Sequence, residues 1–200
     1  MKKLHIRLNG TNTLLMHSPK CVNKLHPIAI KIKTITDLPT KERNTEENLQ
    51  KLSDLEWEAG VYWNEEKKFL YIPNECLAAC FFAGAKMSRN GAPFQRYTQI
   101  LQSEIPLDIG EPQDYETLKT APRYRDVRNV VVNRSRVTRT RPRFDTWRCE
   151  FDMLYDDEKI DIATIGLAIE NAGQYIGLCD NRKAGYGRFA PYIKEVPLSI

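Results

Sequence analysis

Leu4, Ile6 and Leu8 alternate with Lys3, His5 and Arg7. A period of two is what a strand with one buried face requires, and Asn9-Gly10 breaks it. The same pattern returns late in the chain, where Trp147, Cys149, Phe151, Met153 and Tyr155 alternate with Arg148, Glu150 and Asp152. Between these two strands the pattern changes several times. Residues 11 to 44 show no clean period and carry Lys20, Lys24, Lys31, Lys33, Pro27 and Pro39; a connection of that length is expected to have a task. Thr45 before Glu46 and Glu47 predicts a helix start, with a capping hydroxyl and carboxylates set against the helix dipole, and Leu49, Leu52 and Leu55 follow on roughly one face. Trp57 to Trp63 and Phe69 to Ile72 flank the polar run 64 to 68 and read as a hairpin.

Pro73-Asn74-Glu75 opens a second helix to about Lys86, with Cys76, Leu77, Cys80, Phe81 and Gly84 as its packing stripe. Short strands are expected near Gln99 to Leu101 and Ile105 to Ile109, followed by a polar loop, and another from Val130 into an arginine tract that turns at Arg141-Pro142-Arg143. Asp161 caps a last helix through Ile162, Ile165, Gly166, Ile169 and Ala172, with Gly173 as its C-terminal cap, and Arg188 to Ile193 forms a closing strand. Strand, helix, hairpin, helix, strands, helix, strand predicts an α+β fold: a ferredoxin-like or RRM-like core, a mainly antiparallel sheet covered by helices, with insertions. With no repeat or linker, residues 1–200 read as one domain.

Composition narrows the class. In 200 residues, 42% are hydrophobic and 28% charged, which excludes collagen-like, wholly disordered and disulfide-scaffold chains. No apolar run approaches the roughly 18 residues that span a bilayer, and Met1-Lys2-Lys3 does not lead into a signal sequence, so neither a membrane nor secretion is expected. An odd number of cysteines, five, points to a reducing, cytoplasmic setting.

Net charge is only +4, yet nine arginines and no lysine lie between Arg123 and Arg148. Arginine grips phosphate at two points and stacks on bases, which lysine does not. Arg134 and Arg136, and Arg139, Arg141 and Arg143, stand at alternating spacing, so a strand projects most of each set to one side, at about 6 to 7 Å intervals that match successive phosphates of a single strand. The competing reading is a charged face paired with some of the 26 acidic residues. A second cationic feature is Gly173 to Phe189, a glycine-rich loop with Arg182, Lys183 and Arg188 and with Tyr186 as a stacking side chain. It has neither the Gly-Lys-Ser/Thr ending of a Walker loop nor the strand-to-helix order of a dinucleotide fingerprint.

A carboxy-terminal helix ending in a glycine-rich loop and Gly185-Tyr186-Gly187-Arg188-Phe189 resembles the RAMP superfamily, the RRM-like RNA-binding proteins that include CRISPR effector backbone subunits and crRNA-processing nucleases. The first strand ending at Asn9-Gly10, followed by Thr13 to His17, fits that layout. With Arg139-Thr140-Arg141-Pro142, these segments are also similar to small bacteriophage proteins. The resemblance covers the two ends of the chain better than its middle. It implies a single RAMP-like domain that binds RNA or single-stranded DNA without catalysis, in a bacterial or phage-infected cytoplasm, alone or with copies of itself or subunits of a ribonucleoprotein complex. Two alternatives stand beside it. One is a metal-independent endoribonuclease using His17 or His26 as general base. The other is a phage-borne mimic of a backbone subunit. No cofactor is expected. Cys76 and Cys80 lie four apart but Cys21, Cys149 and Cys179 are scattered, so the cysteines read as core thiols and no metal site is expected.

Overall fold

The structure, a computed structural model, describes residues 1–111, 113–132 and 135–198. In chain order its elements are β1 (Lys2–Gly10), β2 (Leu14–Leu15), α1 (Pro27–Thr36), α2 (Thr40–Arg43), α3 (Glu46–Gly60), β3 (Trp63–Asn64), β4 (Phe69–Pro73), α4 (Asn74–Met87), α5 (Gly91–Tyr97), β5 (Thr98–Ile100), β6 (Glu104–Asp108), α6 (Tyr115–Thr120), β7 (Arg125–Val132), β8 (Ser135–Phe144), β9 (Arg148–Tyr155), α7 (Ile162–Asn171) and β10 (Phe189–Val196). The chain folds into two compact units. The first contains Met1–Leu14, Trp63–Pro112 and Phe144–Ile200; the second contains Leu15–Tyr62 and Gln113–Arg143.

Within the first unit, β1, α4, β6, β9, α7 and β10 follow one another as βαββαβ, and the strands lie in the order β10-β1-β9-β6, each neighbouring pair antiparallel. This is the ferredoxin-like arrangement. It is widened by β4 and β3 beyond β6 and by β5 on β9. Register explains the core: Leu4, Ile6 and Leu8 of β1 stand opposite Met153, Phe151 and Cys149 of β9, and all six side chains are buried. Phe81 of α4 stacks on Phe151 at 6.0 Å and meets Phe94 and Phe189 edge-on. Burying side chains of this size contributes roughly 1.5–3 kcal/mol each. Asp161 caps α7 by accepting from the Thr164 amide at 2.7 Å. At Gly84, α4 approaches α7 so closely that an added Cβ would lie 2.2 Å from the Ala168 carbonyl oxygen.

The second unit is built from the two excursions that leave this core between β1 and β3 and between β6 and β9. Thr45 caps α3 as expected, accepting from the Asn48 amide. The arm expected from Trp57 is the end of that helix, and the hairpin starts only at Trp63. Trp57 is fully buried, donates to the Tyr124 carbonyl at 2.9 Å and meets Tyr115 edge-on at 5.8 Å. The stretch without a period contains α1, opened by Pro27 at its first position and capped by His26, whose Nδ1 accepts from the Ile28 amide at 3.2 Å. The polar loop expected after Ile109 contains α6, capped by Asp114. Arg141-Pro142-Arg143 is strand, not turn. Pro142 gives its carbonyl to the Met16 amide at 3.0 Å and packs on Gly60, where a Cβ would lie 2.8 Å from its ring. Strands β2, β8 and β7 form a three-stranded sheet in that order.

Among the described residues no helix is long and apolar enough to cross a membrane, and no group of three or more His, Cys, Asp or Glu side chains is placed to hold a metal ion.

Candidate nucleic-acid interface

The glycine-rich segment begins where α7 ends. Gly173, expected to cap that helix, instead lies in a π-helical turn, Ala172–Ile176, with its backbone pressed on β10: an added Cβ would meet the Phe189 carbonyl oxygen at 2.2 Å. The left-handed terminating residue is Gly177, φ +84°, whose amide bonds the Ala172 carbonyl. Gly185 and Gly187 also take positive φ, as do Cys179 and Asn181. At Gly187 a side chain is excluded twice over, by φ +69° and by the Leu178 carbonyl oxygen 2.1 Å from a built Cβ.

The loop is tied down by backbone hydrogen bonds. The Leu178 amide donates to the Gly187 carbonyl at 2.9 Å, and the Gly187 amide to the Thr13 carbonyl at 2.8 Å. Asn12 closes the turn after β1 against it. Its Nδ2 donates to the Gly185 carbonyl at 2.9 Å, its carbonyl accepts from Trp147 Nε1 at 2.8 Å, and the Thr11 amide donates to the Arg188 carbonyl at 2.9 Å. Asn12 was not singled out in the sequence; its place in a Gly-Thr-Asn-Thr turn is the one signal of its role.

On this pinned backbone, Arg182 and Lys183 form an exposed 3₁₀ turn, while Tyr186 and Arg188 are half-buried. The Nη1 donor of Arg188 is shielded from solvent and has no hydrogen-bond acceptor among the described residues. A buried guanidinium donor without an acceptor is costly, and an anion placed there would relieve it.

The arginine tract occupies the β7–β8 hairpin of the second unit, in register from Arg125 opposite Pro142 to Val132 opposite Ser135. Arg134 lies outside the described residues, and Arg136 is placed only as the backbone partner of Val131. Arg139, Arg141 and Arg143 are each partly exposed and alternate with the buried Thr140 and Pro142, so they share one face as expected. That face is not purely cationic. Arg139 is ion-paired with Glu56 of α3, whose other oxygen accepts from the Thr140 amide at 2.8 Å, and Arg128 is ion-paired with the buried Asp126. Arg125 is structural, bonded to Asp54 and Ser53 at 2.8 Å and nearly buried. Glu56 is 9% exposed, so Glu56→Ala strips both Arg139 and the Thr140 amide of their acceptor; we expect a loss of about 2 kcal/mol in denaturant unfolding, with Glu56→Gln recovering part of it.

The open face of the ferredoxin-like sheet carries a different pattern from that of an RNA-stacking RRM, which presents aromatics there. Here the central strands show charge pairs. His5 contacts Asp152 at 2.9 Å and Glu150 at 3.4 Å, Lys3 lies 3.7 Å from Asp152, and Arg7 sits 5.0 Å above the Tyr192 ring at the edge. His17 is exposed on its loop, and His26 spends a ring nitrogen on capping α1.

These features define an α+β protein with a ferredoxin-like sheet, a pinned cationic glycine loop and a partly neutralised arginine hairpin. No protein-family model and no curated protein sequence matches the chain. Among solved structures it is similar to a chain in the cryo-EM structure of the Type III-B Cmr-beta bound to cognate target RNA, with a TM-score of 0.54 and 10% identity. That match covers 98% of this chain but 61% of the other, and at such identity the likeness is one of fold.

Proposed function

We propose that the protein binds single-stranded nucleic acid, RNA in the first place, by gripping its sugar-phosphate backbone, and that it acts as a non-catalytic, RAMP-like component resembling a CRISPR effector backbone subunit. The observation that carries this reading is the loop from Asn181 to Arg188. Its backbone is fixed by left-handed residues and by Asn12, its two leading cations stand in solvent, and its third, Arg188, keeps a buried donor without an acceptor. A turn already ordered loses little entropy on binding, and guanidinium groups suit phosphate. The charge-paired sheet face favours backbone contact over base stacking. The fold neighbour comes from a structure of Type III-B Cmr-beta bound to cognate target RNA, which supports RNA over DNA as the first ligand to test. Arg139, Arg141 and Arg143, with Arg134 and Arg136 of the same sequence tract, supply a second, weaker contact in this reading, because Glu56 already compensates Arg139.

The test is fluorescence anisotropy of the full chain with labelled single-stranded RNA, the matching DNA and a duplex, over a salt series with EDTA present. Binding to single-stranded RNA with an affinity that falls linearly in log salt is expected, with the RNA intact afterwards. No binding at low salt would remove the reading. Cleavage that disappears in His17→Ala or His26→Ala would replace it with the endoribonuclease.

A further inference from the structure

Four of the five cysteines, scattered in the sequence, converge in the first unit. Cys76 and Cys80 lie one turn apart on α4, Cys149 is on β9, and Cys179 follows Gly177 in the glycine loop. Cys179 is hydrogen-bonded to Cys76 and lies within electrostatic reach of Cys80 and Cys149, and Cys80 donates to the Gly177 carbonyl at 3.1 Å.

The four differ in chemistry. Cys80 and Cys149 are buried, which pushes each thiol up to about 12 and leaves both inert toward oxidants. Cys76 is partly exposed, whereas the Cys179 thiol lies beneath it, shielded from solvent. Cys76 is the third residue of α4, in the first turn of the helix, and Arg182 and Arg188 lie within electrostatic reach of Cys80 one turn further along. Cys179 is held as a thiol by its hydrogen bond to Cys76 and by burial, which suits it to be the second sulfur of a pair.

We infer that Cys76 and Cys179 form a peroxide-sensitive dithiol whose oxidation staples the glycine loop to the first turn of α4. The Cys76 thiolate attacks one oxygen of hydrogen peroxide; the O–O bond breaks and the departing hydroxide takes up a proton, leaving a sulfenic acid. The Cys179 sulfur then attacks Cys76 Sγ, its proton leaves with the sulfenic hydroxyl as water, and the S–S bond forms. Two thiols give up two electrons, and one peroxide becomes two waters. Closing a hydrogen-bonded contact to a bond of about 2.05 Å draws the loop toward α4. That this displaces Arg182 and Arg188 and lowers RNA affinity severalfold rests on the function proposed above; the covalent chemistry does not.

The test exposes the reduced full chain to hydrogen peroxide, alkylates remaining thiols, and digests it without reductant for mass spectrometry. A peptide pair joined through Cys76 and Cys179 and released by reductant is expected, with Cys80 and Cys149 alkylated only after unfolding. Cys76→Ser abolishes the cross-link, while Cys179→Ser leaves a sulfenic acid on Cys76 that dimedone traps. Oxidation confined to the exposed Cys21, a cross-link through Cys80 or Cys149, or no disulfide overturns the inference. RNA titration of both forms separates the two claims. A cross-link without change in affinity cancels the regulation alone, and a cross-link in a protein that never binds RNA cancels the proposed function and the regulation that rests on it while the covalent chemistry stands.

Discussion

Gly84→Ala is expected to lower the melting temperature of the first unit by roughly 10 °C, whereas Gly166→Ala, on the partner helix, is expected to raise it by about 3 °C. Both changes add one methyl group to a helix and improve its intrinsic propensity by about 1 kcal/mol. Only the surroundings differ. At Gly84 the new carbon would lie 2.2 Å from the Ala168 carbonyl oxygen, 2.7 Å from the Ala172 amide nitrogen and 2.9 Å from the Ala172 methyl. Two of those three are backbone, which cannot rotate aside, so α4 and α7 must move apart and give up the close packing between them. A loss of about 3 kcal/mol or more follows, against the propensity gain. At Gly166 nothing lies within 4 Å of the built carbon, so the propensity gain stands alone. Differential scanning calorimetry of the two variants reads this directly. Equal and small shifts would mean that the helices are not seated on Gly84.

Strands β1 and β9 were legible because each has one face on the core and one in solvent, so burial and alternation coincide. Thr45 and Asp161 were legible because capping is local chemistry. Other elements were hidden by their own composition. In α1, isoleucines and lysines are mixed without a clean helical period, and the segment becomes helix because Pro27 and His26 start one. Trp57 reads as β from its bulk and its apolar neighbours Val61 and Tyr62, yet it serves a helix buried against Tyr115 and Tyr124. The site was half legible. Glycine at 177, 185 and 187 marks positive φ, but the pinning of that loop by Asn12, 173 residues from its partner Gly185, leaves no pattern along the chain. The same holds for Glu56, which neutralises Arg139 from 83 residues away, and for Cys179 beside Cys76. One-dimensional spacing predicts which side chains share a face; it does not predict which charge or sulfur the fold brings opposite.

That distinction sets the second large effect. Reversing Arg182 and Lys183 together to glutamate is expected to weaken single-stranded RNA binding by about 100-fold at moderate salt, equivalent to ~2.7 kcal/mol, while leaving the melting temperature unchanged. Both side chains are exposed on one 3₁₀ turn and no ion pair holds either among the described residues, so the fold has nothing to lose. Each phosphate contact removed from a single strand also takes about 0.7 from the slope of log affinity against log salt, so the slope of the double variant flattens by about 1.4. Arg139→Ala is the internal comparison. Its guanidinium is already compensated by Glu56, and RNA must compete with that carboxylate for it, so only a few-fold loss with little change in slope is expected. Should Arg139→Ala weaken binding more than the loop reversal, the hairpin would be the principal phosphate contact and the ordering argued from Glu56 would be wrong.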